Sequence, residues 1–377
     1  MPNRVLRTEQ DLKDFVHGCT LLGVGGGGFP QDGLRYLTRE LDEGRTIEWV
    51  DVSEVGDDEW TATAYGMGST AYRTPEIKKE MERLGMHTPR YERKTAEAVK
   101  FLEQYTGKTI GVIAPIEIGA ANTPDPVGTA IYLGKKVVDG DYAGGRAIPE
   151  ITQVTPYLAG IPMVPLASVD EWGNRVLIDQ VLNDVVGEKI GKLVASVAYA
   201  LVGNATYLIP GKRMKEIIVP GTLTRCYEVG KAMREARDSG KDPVQAVIDY
   251  TDGWKLFEGK CTEKDAESKV GYYWGTHLFE GSGTFAGQKF KIWFKNENHI
   301  TWLNDKAYVT SPDIITVVEA ATCEPTVNPD VTVGKSYAVI GMKAHETFRS
   351  GKGLEVLFPK HFNFDLEYTP IENQVTG

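Results

Sequence analysis

Hydrophobic residues recur every three to four positions in several parts of the first half of the chain. This spacing predicts amphipathic helices, such as the one that places Leu34, Leu37 and Leu41 on one stripe. Thr8 is the candidate N-cap of the first helix, and Asp11 lies in its acidic first turn. The predicted helices cover residues 8–18, 31–43, 92–105, 126–133, 184–201 and 220–237.

Short β-rich runs lie between these helices. The runs at residues 109–114 (TIGVIA) and 136–139 (KVVD) are compact and apolar, which is typical of buried parallel strands. Further strands are predicted at residues 47–52 and 60–65. Because strands alternate with helices, residues 1–250 are predicted to form an α/β domain with a mainly parallel sheet.

The pattern changes near residue 251, where many short β-rich segments follow one another. Gly, Asn-Asp and Ser-Pro turns separate them at short intervals, which indicates an antiparallel barrel or sandwich. Residues 251–352 are therefore predicted to form an antiparallel β-domain, either a barrel or a sandwich. Residues 353–377 are predicted to be a tail that packs back on the first domain.

Composition and charge narrow the classes of partner. The chain has 377 residues, of which 41% are apolar, enough to bury the cores of two domains. Its net charge of −10 argues against a nucleic acid or an anionic membrane surface as partner. Residues 1–20 are polar, without the apolar run of a signal peptide, and the four cysteines form no C-x-x-C pair. We therefore expect a soluble, cytoplasmic protein.

Four loops rich in glycine or polar residues follow predicted strands or open a predicted helix. They cover residues 25–28 (GGGG), 66–69 (GMGS), 117–122 (EIGAAN) and 139–146 (DGDYAGGR). Ligands of open α/β sheets bind beyond the carboxyl ends of the strands, and glycine lets backbone N–H groups come close to a ligand. We therefore predict the active-site face at this edge. The predicted substrate-binding residues from these loops are Gly25, Gly26, Gly27, Gly28, Gly68, Ser69 and Asn122.

The GGGG loop has two interpretations. It could be a nest of N–H groups that binds a carboxylate, a phosphate or an oxyanion, or it could be a tight structural turn. The match to the dinucleotide fingerprint is partial, and no Walker lysine follows the loop. No nucleotide cofactor is therefore expected.

Acidic residues of two loops are the candidate catalytic groups. Asp139 and Asp141 flank Gly140, Arg146 follows them, and Glu117 lies on the neighbouring loop. Such acids could hold a divalent metal, or one of them could have a raised pKa and transfer protons, while Arg146 clamps a substrate carboxylate. The structural alternative is an Asp–Arg pair that stabilises a glycine-rich loop.

Three polar residues, 296–298 (NEN), interrupt an apolar strand in the second half. The favoured interpretation is a hairpin turn or bulge. The alternative is a polar finger that reaches into the cleft between the domains, so Glu297 and Asn298 are added to the candidate substrate-binding residues.

The ordered set of these segments resembles one known family. The segments are LLGVGGGGFPQDG, GMGS, PIEIGAAN, VVDGDYAGGRAIPE, PGTLTRCYEVGKA, FKNENHI, SPDIITVVEA and FPKHFNFDLEYTPIE, and together they extend over nearly the whole chain. They resemble the DUF917 family, now called S-methyl thiohydantoin desulfurase-like. The resemblance implies an α/β sandwich domain followed by a β-barrel domain. It also implies removal of sulfur from a thiohydantoin or its S-methyl derivative, which gives a hydantoin.

This resemblance leads to a working hypothesis for the chemistry. Asp139 or Glu117 would take a proton from water, Asp141 would protonate the departing sulfur, and Arg146 with the loop N–H groups would stabilise charge on the ring. A divalent metal held by the acids could both activate the water and assist the departure of the sulfur. The alternative function is a non-catalytic accessory or binding subunit of a hydantoinase-type system. The expected ligand is a small cyclic ureide or thioureide, and the chain is expected to be a homo-oligomer, with a hydantoinase-type enzyme as a further partner.

Overall fold

The computed structural model describes residues 4–69, 71–269 and 271–375. Its helices are α1 (Glu9–Leu22), α2 (Pro30–Asp42), α3 (Pro75–Arg83), α4 (Lys94–Thr106), α5 (Pro124–Tyr132), α6 (Thr155–Leu158), α7 (Asp184–Ala198), α8 (Gly211–Lys215), α9 (Thr222–Asp238), α10 (Pro243–Thr251) and α11 (Gly351–Glu355). Its strands in the first part of the chain are β1 (Val5–Leu6), β2 (Ile47–Glu48), β3 (Trp60–Met67), β4 (Ile110–Pro115), β5 (Lys136–Val137), β6 (Gly140–Asp141), β7 (Leu166–Val169), β8 (Arg175–Ile178), β9 (Val202–Pro210) and β10 (Val219–Pro220). The later strands are β11 (Trp254–Lys269), β12 (Tyr272–Gly281), β13 (Lys289–Lys295), β14 (Glu297–Leu303), β15 (Lys306–Thr310), β16 (Ile314–Glu319) and β17 (Ser336–Met342).

The first sheet has the strand order β5-β4-β3-β9-β7-β8. Strands β3, β4 and β5 are parallel, but the pairs β3–β9, β9–β7 and β7–β8 are antiparallel. The prediction of a mainly parallel sheet was therefore wrong, because the sheet is mixed. The reason is β9, which enters the sheet beside β3 in the opposite direction and brings an antiparallel hairpin with it.

Helix α1 begins as the sequence predicts. The hydroxyl of Thr8 accepts a hydrogen bond from the Asp11 N–H, and the Asp11 carboxylate accepts one from the Thr8 N–H, which forms a capping box. The helix crosses α9 at close range, because Gly18 and Gly230 have no side chains. A Cβ on either glycine would lie 1.8 Å from a backbone oxygen of the other helix.

The second sheet has the order β15-β14-β13-β12-β11-β17-β16 and is antiparallel throughout the residues that the structure describes. The sheet curls, and its edge strands β15 and β16 approach each other without forming a ladder in the described part of the chain. The prediction of a barrel is therefore corrected to an open half-barrel. Its core includes Phe257, Phe279 and Phe290.

The two sheets share a layer of helices. One continuous apolar core contains Phe15 of α1, Leu223 of α9, Ile113 of the first sheet and Ile340 of the second. The sequence predicts a domain boundary near residue 250, and the shared core means that the two parts hold each other in place. That boundary stays a prediction.

The last described residues, 353–375, contact both parts of the molecule. The Gln153 amide donates to the Val356 carbonyl at 2.8 Å, and His361 Nε2 lies 2.9 Å from Glu150 Oε2. On the other side, Asp313 accepts hydrogen bonds from the Tyr368 hydroxyl and the Ile371 N–H, both at 2.9 Å. The tail thus links the half-barrel to the loops of the first sheet.

Across the described ranges, none of the helices combines the length and the apolar character that crossing a bilayer requires.

Candidate active site

A cleft opens where the parallel strands of the first sheet end and the β13–β14 hairpin of the half-barrel faces them. Counting its open mouth and the space between atoms, it encloses about 710 Å³. Its polar lining consists of Glu117, Asp125, Glu150, Glu188, Glu297, Lys94, Lys192, Tyr36, Tyr65, Asn122 and Asn296. The glycines in its wall are Gly27, Gly28, Gly66 and Gly68.

Glu117 follows β4 and is held by two hydrogen bonds. Its Oε1 accepts from the Asn122 amide at 2.6 Å, and its Oε2 accepts from the Ile148 N–H at 2.8 Å. Asn122 is itself tied to the backbone of Gly66, which fixes the loops of β3 and β4 to each other. Burial raises the pKa of Glu117 to about 7, and the nearby Glu188 adds to the rise.

Glu297 is the first residue of β14 and enters the cleft from the half-barrel. Gly26 makes room for it, since a Cβ there would lie 2.0 Å from Glu297 Oε1. The other oxygen, Oε2, is buried and has no hydrogen-bond partner in the described part of the chain. Burial raises the pKa of Glu297 well above its usual value, and the charge of Glu117 raises it further. Two carboxyl groups that affect each other's ionisation therefore face one space.

Helix α7 contributes Glu188 and Lys192, which lie one turn apart on its buried face. Glu188 Oε2 accepts from the Ile151 N–H at 2.6 Å, and Lys192 Nζ lies 3.8 Å from Glu188 Oε1. The ring of Tyr272 lies 4.3 Å from Lys192 Nζ, and its hydroxyl donates to Glu188. Burial raises the pKa of Glu188, and Lys192 opposes this rise.

Glu150 differs from the other acids of the cleft, because it pairs with a lysine and a histidine. Lys295 forms an ion pair with one oxygen, and His361 Nε2 lies 2.9 Å from the other. Burial alone would raise the pKa of Glu150, but His361 and Lys295 together lower it to about 2. Glu150 is therefore ionised at neutral pH and serves to anchor the tail and β13 to the cleft wall.

Tyr65 of β3 offers an unused hydroxyl. The residue is buried in the cleft wall, and its hydroxyl has no hydrogen-bond partner among the described residues. Because an unsatisfied buried hydroxyl is costly, such a group in a cleft is suited to hydrogen-bonding a ligand.

The GGGG loop packs against the loop that follows β4. A Cβ on Gly27 would lie 2.4 Å from Gly119 Cα, and the Gly27 carbonyl accepts from the Ala121 and Asn122 N–H groups. Gly27 also has a φ of +71°, in the left-handed region where glycine is favoured. The loop therefore has a structural function in addition to forming part of the wall.

The predicted substrate-binding residues fall into two groups. Gly27, Gly28, Gly68, Asn122 and Glu297 line the cleft. The others lie outside its lining. Gly25 and Gly26 pack against Asn298 and Glu297, and Asn298 donates to the Ile315 carbonyl. The Ser69 hydroxyl lies 2.9 Å from that of Ser268.

Asp139 lies away from the cleft lining and caps helix α9. Its Oδ1 accepts from the Leu223 and Thr224 N–H groups at 3.0 and 3.1 Å, and its Oδ2 accepts from the Thr224 hydroxyl at 2.5 Å. These bonds satisfy N–H groups that the helix itself leaves open. The catalytic role predicted for Asp139 stays a prediction, and nothing in this placement brings the carboxylate to a ligand.

Asp141 and Arg146 also lie outside the cleft lining. Asp141 organises its own loop, accepting from the Ala143 N–H at 2.7 Å and the Gly145 N–H at 2.9 Å, and burial raises its pKa to about 7. Arg146 donates to the carbonyls of Ala147 and Pro312 at 3.0 and 2.5 Å. Burial lowers the pKa of Arg146 to about 10, while Glu297 works against this effect. Arg146 is therefore a buried positive charge close enough to Glu297 to affect the pKa of that carboxyl group.

The metal hypothesis finds no ligand set in this arrangement. Within residues 4–69, 71–269 and 271–375, no group of three or more His, Cys, Asp and Glu side chains could hold a metal ion.

Sequence reasoning missed the contributions of Glu188, Lys192 and Tyr65. The sequence of α7 is mostly apolar. Glu188 and Lys192 lie four residues apart in it, and each follows a glycine. Two polar residues on the small-residue face of a helix were the signal that could have identified them. Tyr65 gives no such signal, since an aromatic residue is ordinary in a buried strand.

The fold and the site together define a class: two-sheet proteins with a carboxylate-lined cleft between an α/β sandwich and an antiparallel half-barrel. Family models described as the S-Me-THD-like N-terminal and C-terminal domains match residues 10–180 and 182–371. The chain belongs to this S-methyl thiohydantoin desulfurase-like family, which confirms the resemblance found in the sequence.

Among solved structures, the chain is similar to a crystal structure of a protein from Chromobacterium violaceum, determined by the Northeast Structural Genomics Consortium. The TM-score is 0.78 at 21% sequence identity, and the match covers 98% of this chain and 100% of the other. At this identity, the likeness supports the fold. No curated protein matches the chain in sequence.

Proposed function

We propose that the chain is a hydrolase that converts an S-methyl thiohydantoin, or the parent thiohydantoin, into a hydantoin. Family membership supports the substrate class. The observation that carries the hydrolytic reaction is the pair of buried carboxyl groups, Glu117 and Glu297, that enter one cleft from two different sheets. Each has a raised pKa, so one can be protonated while the other is ionised.

The first half of the reaction adds water to the ring. The carbon that carries the S-methyl group is bonded to two nitrogens, one of them through a double bond. The Glu117 carboxylate takes a proton from water as the water oxygen bonds to this carbon. The electrons of the C=N bond move to nitrogen, which takes the proton of the Glu297 acid.

The second half expels the thiol. The Glu297 carboxylate takes the proton of the new hydroxyl group, the carbonyl forms, and the C–S bond breaks. Glu117 returns its proton to the departing sulfur, so methanethiol leaves and both carboxyl groups regain their starting states. The Tyr65 hydroxyl would hydrogen-bond the ring, and Lys192 would stabilise negative charge that develops on it.

A thiol-release assay tests this proposal. The purified chain is incubated with S-methyl thiohydantoin, free thiol is followed with a colorimetric reagent, and hydantoin is measured by chromatography. We expect thiol and hydantoin in equal amounts, and a loss of about 100-fold or more in the Glu117→Gln variant. Glu355→Gln is the matched control, because it makes the same exchange at an exposed acid of α11, outside the cleft lining.

The alternative, an accessory binding subunit, predicts a different result in the same assay. Binding of the ring without release of thiol above the protein-free blank would overturn the hydrolase proposal. A partner of the hydantoinase class would consume the hydantoin product, and this partnership and the homo-oligomeric state stay predictions.

A further inference from the structure

Helix α7 carries large apolar side chains on its outward face. Leu193 and Val197 expose 63% and 64% of their surface, and Leu182, just before the helix, exposes 85%. Val185 and Ile190 are exposed on the same side of the helix. These five are half of the ten large apolar side chains that are exposed among the described residues. Single exposed apolar residues are ordinary on a soluble protein, whereas such a cluster marks an interaction surface.

The opposite, buried face of α7 is built from small residues. Gly187, Gly191 and Ala195 follow one another there at intervals of four residues. A Cβ on Gly191 would lie 2.8 Å from Met67 Sδ, and one on Gly187 would lie 2.5 Å from Met163 Sδ, so the helix lies close against the first sheet. A surface helix normally turns its large apolar residues toward the core, and α7 turns them outward. This order is typical of a helix that is covered on both sides.

Helix formation alone does not account for these residues. Val and Ile are poor helix formers, and Lys, Glu or Arg would stabilise an exposed helix face better. Lys189 is the one charged side chain among the exposed residues of α7. In a chain of net charge −10, a face this poor in charge lets two copies approach without strong repulsion. It also lacks the charge pattern that a strongly acidic or basic partner requires.

The outward face is complementary to itself. Its apolar positions are arranged symmetrically about the point between residues 189 and 190. An antiparallel copy with a twofold axis at this point places Leu182 of one copy beside Val197 of the other. In the same way, it places Val186 of one copy beside Leu193 of the other. The N-terminal end of each helix then lies beside the C-terminal end of its partner, which is the favourable arrangement of helix dipoles.

The size of the face also bears on the occupant. A stable dimer buries about 800 Å² per partner, more than one exposed helix face provides. The neighbouring segment supplies further apolar surface, because Tyr72 and Leu84 are exposed as well. Arg73 joins this segment to the end of α7 by donating to the Tyr199 carbonyl at 2.8 Å.

We propose that a second copy of the chain docks on the outward face of α7, with the two helices antiparallel about a twofold axis beside Ile190. The same helix lines the cleft with Glu188 and Lys192 from its buried face. The dimer therefore holds one wall of the candidate active site in place from behind. The inference does not depend on which reaction takes place in that site.

Sedimentation velocity of the purified chain over a range of concentrations tests the proposal, and we expect a dimer. Leu193→Glu places a charge in the apolar contact and should raise the dissociation constant about 100-fold or more. Its circular dichroism should match that of the wild type, because the side chain points away from the fold. Val333→Glu is the control, since Val333 is an exposed apolar residue of the loop before β17, outside α7, and the dimer should persist.

Cross-linking through introduced cysteines tests the antiparallel geometry. The four native cysteines are buried, so a short bis-maleimide reacts with an introduced, exposed thiol. Ile190→Cys lies beside the axis and should give a covalent dimer. Leu182→Cys should not, because its two copies would lie about 20 Å apart along the helices. The double variant Leu182→Cys/Val197→Cys should cross-link again, because each new thiol then faces its counterpart.

Three outcomes would overturn the proposal. The first is a wild type that stays monomeric at every concentration tested, including one that instead sediments with lipid vesicles. The second is a dimer that Leu193→Glu leaves as tight as the wild type, which would place the interface elsewhere. The third is a dimer that cross-links through Leu182→Cys alone and not through Ile190→Cys, which would exclude the antiparallel arrangement.

Discussion

The fit between Gly26 and Glu297 gives the sharpest test of the site geometry. A Cβ at position 26 would lie 2.0 Å from Glu297 Oε1 and 2.6 Å from its carboxyl carbon, whereas real Cβ contacts essentially never fall below 3.0 Å. Gly26→Ala must therefore displace the Glu297 carboxyl group by about 1 Å or more. The φ of Gly26 lies outside the left-handed region, and the group that must move is the end of a flexible side chain. The backbone can stay in place.

The expected effect is on the rate of reaction and not on the fold. A misplacement of about 1 Å in a reacting group costs about 100-fold in rate, so kcat for thiol release should fall by about that factor in Gly26→Ala. The melting temperature should change little, because the carboxyl group can turn away from the new methyl group. Gly56→Ala is the matched control, since its Cβ would meet the nearest Glu59 atom at 3.5 Å, an ordinary contact.

Steady-state kinetics and thermal unfolding on the same preparations measure both quantities. Full activity in a folded Gly26→Ala protein would mean that the position of the Glu297 carboxyl group is irrelevant to turnover, contrary to the proposed role of Glu297. A large fall in melting temperature would instead show that the loop, and not the carboxyl group, had moved.

Three further predictions concern single carboxyl groups. Asp139→Ala leaves two helix N–H groups and the Thr224 hydroxyl without their acceptor, so the free energy of unfolding should fall by about 2–3 kcal/mol in urea titrations, with exposed Asp58→Ala unchanged. Burial raises the pKa of Glu117 to about 7, and the proposed reaction uses its ionised form as the base, so kcat/KM should fall as pH drops below about 7, and this acidic limb should vanish from any residual activity of Glu117→Gln. The pKa of Glu150 is lowered from its usual 4.5 to about 2, so its contribution to stability is complete above pH 4.5 and is lost as pH falls toward 2. Acid unfolding of Glu150→Gln should therefore show a smaller dependence on pH across that window than the wild type does.

Much of the local structure could be predicted, because local signals specify it. The capping box of Thr8 and Asp11 marks the start of α1, and the stripe of Leu34, Leu37 and Leu41 marks α2. The antiparallel second sheet follows from its short β-rich runs. The strand order could not be predicted in the same way. Strand β9 pairs with β3 although more than 130 residues separate them in the sequence, and nothing local specifies that pairing.

The sequence allowed a prediction of which loops form the site, but not of which side chains enter it. Parallel strands bring the ends of β3 and β4 to one edge, which is why Asn122 can bond to Gly66 as well as to Glu117. The catalytic role of Asp139 was predicted from its position at the end of a strand. The sequence does not show that helix α9 begins beside this carboxylate and is capped by it.

In the proposed reaction, Glu117 and Glu297 transfer the protons of thiohydantoin hydrolysis, and Asp139 does not. The most direct measurement is kcat/KM for thiol release by Glu117→Gln, Glu297→Gln and Asp139→Asn, per mole of folded protein, in one assay beside the wild type. We expect losses of about 100-fold or more for the two glutamate variants and activity near that of the wild type for folded Asp139→Asn. An inactive but folded Asp139→Asn beside active glutamate variants would contradict it.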